Sequence, residues 1–318
     1  MLRAMKASFI VAYGGSDVIR YGDMPDPVIK KNELLIEIRA VSVNPVDYKL
    51  RSGIIKFITG FKFPKILGSD YAGIVKEIGP EVNGFKPGDR VYGSSSVIFG
   101  KPGKLAELVA SDPLYVRSIP VSMTFEEAAS LPVAALTALN GLRKGNISEG
   151  KSVLINGATG GVGHFAVQIA RAKGAFITAT CSPANADFAA QLGADEVIGY
   201  SRKDIASPGK KYDAIMDAYG KMKYDDICRL LKKRGVYTST LFFPPSSFFA
   251  FFISILFNMR LTSANMRSLP EDYDELEKLF SEGKLKPHID KTFSLDRTAE
   301  AFQYAEFGKP KGKVIITI

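Results

Sequence analysis

The sequence predicts an α/β protein in which a doubly wound parallel sheet is joined to a second, mostly antiparallel and barrel-like β domain. Three observations carry that expectation. Residues 153–163 read VLINGATGGVG, an apolar run ending in a Gly-rich turn, and HFAVQIARAK at 164–173 continues with helical spacing. From about residue 126, strand-like and helical segments alternate, as parallel strands with crossover helices do. Before residue 125 the apolar runs are short, often alternating, and separated by turn residues, which is the pattern of antiparallel strands.

Taken in chain order, LLIEIRAVSV (34–43), AGIVKEIG (72–79), DRVYG (89–93) and LAELVAS (105–111) read as strands of the β domain. EEAASLPVAALTALNGLRK (126–144) is helical. The parallel sheet is expected from VLIN (153–156), AFITAT (175–180), EVIGY (196–200), DAIMDA (213–218), GVYTST (235–240) and a last strand near 259–264. Its helices follow VLIN, end near Leu192, and span 222–233. PEDYDELEKLFSEGK (270–284) opens on a helix-start signal and stops at Gly283. HIDKTFSL (288–295), TAEAFQYAEFG (298–308) and KVIITI (313–318) then read as strand, helix and strand. A terminal strand must pair somewhere, so it is expected to complete the first domain. That gives a discontinuous β domain at 1–125 and 269–318 around a parallel-sheet domain at 126–268.

A chain of 318 residues is long for one core, which agrees with two domains. Hydrophobic content of 46% and charged content of 24% are those of an ordinary soluble protein. The net charge of +9 comes from Lys and Arg spread along the chain, so nucleic acid is not an expected partner. Cys181, Cys228, His164 and His288 have no ligand spacing, which speaks against structural zinc and a disulfide framework. Met1–Arg20 mixes Arg3, Lys6 and Asp17 with too short an apolar stretch for a signal peptide, so a cytoplasmic location is expected.

The compositional anomaly is LFFPPSSFFAFFISILFNMRL at 241–261. Its apolar runs, broken by Pro244, Pro245, Ser246, Ser247 and Ser254, fall short of the ~20 residues that span a bilayer. The expected roles are a buried interdomain element, a homodimer interface, or the apolar wall of a substrate site, with peripheral membrane contact left open.

The Gly-rich turn carries chemistry. Ala158, Gly160 and Gly163 stand in A-x-G-x-x-G spacing between a strand and a helix. Small residues keep the turn tight, let backbone approach a pyrophosphate, and let the helix N-terminus face its charge. Ala158, Thr159, Gly160, Gly161, Val162 and Gly163 are therefore candidate dinucleotide contacts. Sites that prefer NAD place an acid about twenty residues further on, at the ribose hydroxyls. This chain has Cys181, Ser182, Pro183 and Asn185 there, with no carboxylate to repel a 2′-phosphate, so NADPH is expected. Ser182, Asn185, Tyr200 and Arg202 are the polar candidates around that phosphate, ordinary turn chemistry being the alternative for Ser182 and Asn185. Leu241 and Phe242 follow the fifth strand, whose C-terminal end borders the ligand crevice of such sheets.

These segments, with SVNPVDYKLRSG (42–53), ILGSDYAGIVKEIG (66–79), FKPGDRVYG (85–93), AALTAL (134–139), LGADEVIGY (192–200), RGVY (234–237) and the closing GKV (312–314), resemble the medium-chain dehydrogenase/reductase superfamily over essentially the whole chain. Within it they are similar to the zinc-independent quinone oxidoreductases and enone or alkenal reductases, the group of the chloroplast-envelope quinone oxidoreductase homologues. The resemblance implies a Rossmann domain for the nucleotide and a GroES-like catalytic domain. Alcohol dehydrogenases of the superfamily hold zinc with a Cys three residues before an Asp and with a His-Glu pair. Here Asn44 stands three residues before Asp47, Ser69 and Asp70 replace the pair, and 94–104 contain no Cys. No metal is therefore expected.

The resemblance further implies that Asn44 and Thr137 lie beside the nicotinamide and orient it; otherwise Asn44 is a turn residue before Pro45 and Thr137 a helix-interior Thr. The implied reaction is hydride transfer to a small apolar acceptor, a quinone or the β-carbon of an α,β-unsaturated carbonyl. Negative charge then grows on oxygen. Lys49, which matches the family's NPxDxK variant, is the expected electrostatic stabiliser, a solvated surface lysine being the alternative; Tyr48 is a second candidate, and the proton comes from water or Tyr48. Asp47 is expected to fix the loop or Lys49, His164 to be a packed or surface residue rather than a catalyst, and Cys228 to be a small core residue. Two other readings stay open: reduction one electron at a time, and an NADPH-binding redox-sensing or membrane-associated protein without turnover.

Overall fold

The computed structural model describes residues 4–94, 103–200, 209–241 and 258–318. Arg202, Phe242 and most of the Phe-rich segment lie outside the described residues. The chain forms two compact units, Met1–Val133 with Pro287–Ile318, and Ala134–Lys286.

The first unit opens with β1 (Ala4–Ile10), β2 (Ile19–Pro25), β3 (Leu34–Val43), α1 (Pro45–Arg51), α2 (Lys56–Thr59), β4 (Lys65–Ile66), β5 (Asp70–Ile78), β6 (Arg90–Ser94), β7 (Leu108–Ser111), β8 (Val116–Ser118) and α3 (Phe125–Ser130). Helix α4 (Pro132–Lys144) leads into the second unit. There follow β9 (Ser152–Asn156), α5 (Gly163–Ala172), β10 (Phe176–Cys181), α6 (Ala186–Gln191), β11 (Glu196–Gly199), β12 (Tyr212–Asp217), α7 (Tyr224–Leu230), β13 (Leu231–Ser239), β14 (Arg260–Ser263) and α8 (Pro270–Ser281). The chain then returns to the first unit as β15 (Ile289–Ser294), α9 (Thr298–Phe307) and β16 (Lys313–Thr317).

In the first unit β3 is the organising strand. Ile36 and Ile38 point into the core while Glu37 and Arg39 pair with each other at 3.0 Å on the outer face, the period-2 pattern of a half-buried strand. It pairs antiparallel with β5, β7 and β16. Tyr71, Val91, Val314 and Ile316 pack into the same core. The terminal strand thus returns to the first unit, with Val314 opposite Val43, and carries Lys313 to the end of β3 where α1 begins.

The second unit holds a parallel sheet ordered β11-β10-β9-β12-β13-β14. Renumbered from β9, this is the 3-2-1-4-5-6 order of dinucleotide-binding sheets, with its switch point between β9 and β12. Val153, Leu154 and Ile155 of β9 are fully buried, as both-face coverage requires. The buried face of α5 includes Phe165, Ala166, Ile169 and Ala170.

Two boundaries differ from the sequence expectation. Helix α8 belongs to the second unit, so the return to the first falls after Lys286 rather than at 269. The reason is polar anchoring: Arg143 of α4 binds Asp272 at 2.5 Å and Glu275 at 2.8 Å, and Lys173 reaches Glu275 at 2.7 Å. Gln168 of α5 also accepts the Lys286 N–H at 2.8 Å. Helix α7 is shorter than 222–233, because Leu231 already pairs with Tyr212 as the first residue of β13.

Burial pushes the Asp272 carboxyl up, but hydrogen bonds from Arg267 and Arg143 outweigh it and hold the group below its usual 3.8. A depressed carboxyl stabilises the fold above the unfolded value and loses that contribution as pH falls through the folded one. Asp272→Asn is expected to cost about 2 kcal/mol at neutral pH and to flatten the acid limb of the stability curve. Denaturant titrations at pH 7 and pH 3 check both.

Candidate active site

The turn after β9 is built for close approach. A Cβ on Gly163 would lie 2.0 Å from the Gly157 carbonyl oxygen and 2.8 Å from Ala158, so only glycine lets α5 begin there. A Cβ on Gly160 would meet only the Gly157 oxygen, at 3.6 Å, which leaves open space beside that residue. Val162 at the N-cap of α5 has no side chain that can accept from the first turn. A tight turn, an open face and an uncapped helix N-terminus together fit a pyrophosphate.

Around this turn the second unit gathers most of the expected nucleotide residues. Asn185 donates to Thr159 Oγ1 at 3.3 Å, which ties the loop after β10 to the glycine turn. Ser182 is half-buried ahead of it. Tyr200 stands beside Gly157, 3.5 Å from where a Cβ there would lie, and is 44% exposed. Burial raises its hydroxyl pKa to about 12, although a hydrogen bond with Thr180 works the other way. Leu241 packs over Gly220, and Thr137 is buried on α4. His164 is a packed residue, fully buried, with Nδ1 3.0 Å from the Gly160 oxygen. Cys228 is half-buried beside a cluster that includes Ile227, Leu231 and Tyr237.

A buried carboxylate that sequence reasoning passed over fixes the switch point. Asp217, at the end of β12, accepts from Asn156 Nδ2 at 2.7 Å, Tyr237 Oη at 2.8 Å, and the N–H groups of Gly220 at 2.7 Å and Met222 at 2.9 Å. Thr180 Oγ1 donates to Asn156 Oδ1 at 2.6 Å. One side-chain network therefore joins the C-terminal ends of β9, β10, β12 and β13. A polar residue closing each apolar strand was the available signal.

In the first unit Asn44, Asp47, Ser69 and Asp70 come together. The Asn44 side chain donates to Asp70 Oδ2 at 2.9 Å and to the Ser42 oxygen at 3.3 Å. Its N–H donates to Asp47 Oδ2 at 2.8 Å, and Ser69 Oγ donates to Asp47 Oδ1 at 2.7 Å. The Val133 N–H donates to Asp70 Oδ2 at 3.0 Å. Lys313 Nζ completes the cluster, donating to Asn44 Oδ1 at 2.7 Å and to the Val43 oxygen at 3.4 Å. Both amide hydrogens of Asn44 are thus engaged inside the protein, and the residue is only 1% exposed. Asp47 fixes the loop, as expected, through Asn44 and Ser69.

Burial dominates the ionisation of this cluster. It raises Asp47 to about 7 against the hydrogen bonds of Ser69 and Asn44. It raises Asp70 to about 6 against the Lys313 charge and the hydroxyl of Ser94. It lowers Lys313 to about 8, opposed by the charges of Asp70 and Asp47. Tyr48 and Lys49 are half-buried on α1, Tyr48 against the core, and burial holds the Lys49 ammonium below the usual lysine range.

Comparison with known proteins places this arrangement. A family model for the alcohol dehydrogenase GroES-like domain matches residues 30–120, and one for zinc-binding dehydrogenases matches residues 192–316. The chain is 34% identical over 317 residues to a chloroplast envelope quinone oxidoreductase homolog of Arabidopsis thaliana, covering 95% of both chains. The chain belongs to the medium-chain dehydrogenase/reductase superfamily. Other superfamily relatives include an NADPH-dependent alkenal/one oxidoreductase of Arabidopsis thaliana, 34% identical over 99% of this chain and 80% of that protein. The quinone oxidoreductase structure from Coxiella burnetii superposes with a TM-score of 0.91 at 32% identity, covering 99% of this chain and 100% of that one. These likenesses support an NAD(P)H-dependent oxidoreductase.

The zinc in the second family model's description does not fit the residues of this cluster. Asn44 and Ser69 offer an amide and a hydroxyl already committed to hydrogen bonds, and an ammonium lies 2.7 Å from the Asn44 oxygen. Among the described residues no group of three or more His, Cys, Asp and Glu could hold a metal ion. Among them, too, no helix is long and apolar enough to cross a membrane.

Proposed function

We propose that this chain is an NADPH-dependent reductase that passes hydride, without zinc, to a quinone or to the C=C bond of an α,β-unsaturated carbonyl. The observation that carries the reading is the Asn44–Asp70–Lys313 cluster: Asn44 and Asp70, at positions that the resemblance matches to metal ligands, are hydrogen-bonded to each other, and the Lys313 ammonium binds the Asn44 oxygen. Without a Lewis acid, an acceptor that is already electron-poor is the chemistry that remains.

When bound, the reduced nicotinamide supplies the hydride. The glycine turn would hold the pyrophosphate, while Thr159, Ser182, Asn185 and Tyr200 would surround the adenosine ribose and its 2′-phosphate. Leu241 would close the crevice over the cofactor, and Thr137 would lie at the nicotinamide. Asn44 acts by fixing the start of α1, because its amide hydrogens are spent internally. Lys49 faces the acceptor oxygen as negative charge develops there, with Tyr48 as proton source.

Steady-state rates with NADPH and NADH across quinones, enones, alkenals and primary alcohols test the reading. Turnover of the first three classes that survives chelators is expected; chelator-sensitive alcohol oxidation would refute it. Asn185→Asp places a carboxylate in the loop that faces the 2′-phosphate. It is expected to move the NADPH:NADH ratio of kcat/KM at least about tenfold toward NADH. An unchanged ratio would remove Asn185 from the phosphate site.

A further inference from the structure

The last strand ends the fold with an unusual burial. Lys313 is 3% exposed, on a strand whose neighbours Val314, Ile315 and Ile316 are core residues. An ammonium leaves water at a cost of several kcal/mol, so a buried lysine without a task is selected against. The hydrogen bonds of its ammonium fall at one place. It donates to the side-chain oxygen of Asn44 and to the main-chain oxygen of Val43, the two residues where β3 turns into α1.

Each bond at that junction depends on the one before it. With its oxygen held by Lys313, the Asn44 amide has its nitrogen turned toward Asp70 of β5. The Asn44 N–H is fixed by Asp47, and Asp47 is fixed by Ser69 ahead of β5. Lys313 is thus the third point of a tripod whose other legs are Asp70 of β5 and Ser69 just ahead of it. What the tripod holds is the first turn of α1, the helix that carries Tyr48 and Lys49.

We propose that Lys313 is a positioning residue that pins the start of α1 and so sets where Lys49 stands during reduction. The part concerning reduction rests on the function proposed above. The pin itself does not. A counter-ion role alone makes a different prediction, because two buried carboxylates would be satisfied equally well by neutralising one of them.

Lys313→Met in the full chain removes the pin. Hydrogen exchange followed by mass spectrometry is expected to show amides of 44–51 exchanging about tenfold faster or more, with 153–163 unchanged. NADPH affinity, read by fluorescence titration, is expected to stay within about threefold, while kcat falls about tenfold or more. Lys313→Met combined with Asp70→Asn leaves one fewer buried charge and guards against a variant that fails to fold. The pin predicts that this double variant regains thermal stability but keeps the fast exchange at 44–51. Wild-type exchange at 44–51 in either folded variant would overturn the proposal, and the double variant's recovery of both stability and protection would make Lys313 a counter-ion only. If the wild type reduces no acceptor, the function proposed above fails while the exchange result still decides the pin.

Discussion

Gly163→Val is expected to weaken NADPH binding by about 100-fold, equivalent to ~2.7 kcal/mol. The new side chain would begin 2.0 Å from the Gly157 oxygen and 2.8 Å from Ala158, both backbone, so the turn itself must open. Opening it moves the first turn of α5 away from the position at which its N–H groups can serve a pyrophosphate. Gly160→Ala is the companion experiment. Its added carbon has only the Gly157 oxygen nearby, at 3.6 Å, so the fold should tolerate it. Any loss of affinity in Gly160→Ala then reports space used by the ligand, and a pyrophosphate lying against this turn predicts a loss of about tenfold. Fluorescence titration with thermal unfolding of the same samples separates the two effects; unchanged affinity in a folded Gly163→Val would contradict the assignment of the turn.

Lys49→Ala is expected to lower kcat by about 100-fold while NADPH affinity stays within about twofold. A cation aimed at the oxygen where charge develops acts in the transition state, and the glycine turn proposed to hold the nucleotide belongs to the other unit. The pH dependence follows from the same group. Burial lowers the Lys49 pKa, and the protonated form is the one that stabilises the oxyanion. The wild-type rate should therefore decline as pH rises through a value below that of a free lysine, and Lys49→Ala should lose this limb. Unchanged kinetics, or a limb that persists in the variant, would take Lys49 out of the mechanism.

The glycine turn and the loop beside it are legible in the sequence because their residues are local. Strand, glycine turn and helix are contiguous, and the loop at 181–185 lies one strand further on, so spacing alone assembles them. The polar cluster of the first unit is legible only in part. Asn44, Asp47, Ser69 and Asp70 sit in two short segments, but the group that organises them comes from the far end of the chain, 269 residues from Asn44. No periodicity links Lys313 to Asn44; the one signal was a lysine opening a strand that is otherwise core. The position of α8 has the same cause. Its pattern predicted a helix, whereas its unit is decided by Arg143 and Lys173, more than a hundred residues earlier.

The central claim is that hydride passes from NADPH to an electron-poor acceptor with no metal taking part. Its most direct test uses chelator-treated protein of verified zinc content, NADPH carrying deuterium at both C4 positions, and an α,β-unsaturated ketone. Mass spectrometry and NMR of the product are expected to show one deuterium at the β-carbon, at a rate that added zinc does not change. Product lacking the label, or label transfer that appears only when zinc is restored, would contradict it.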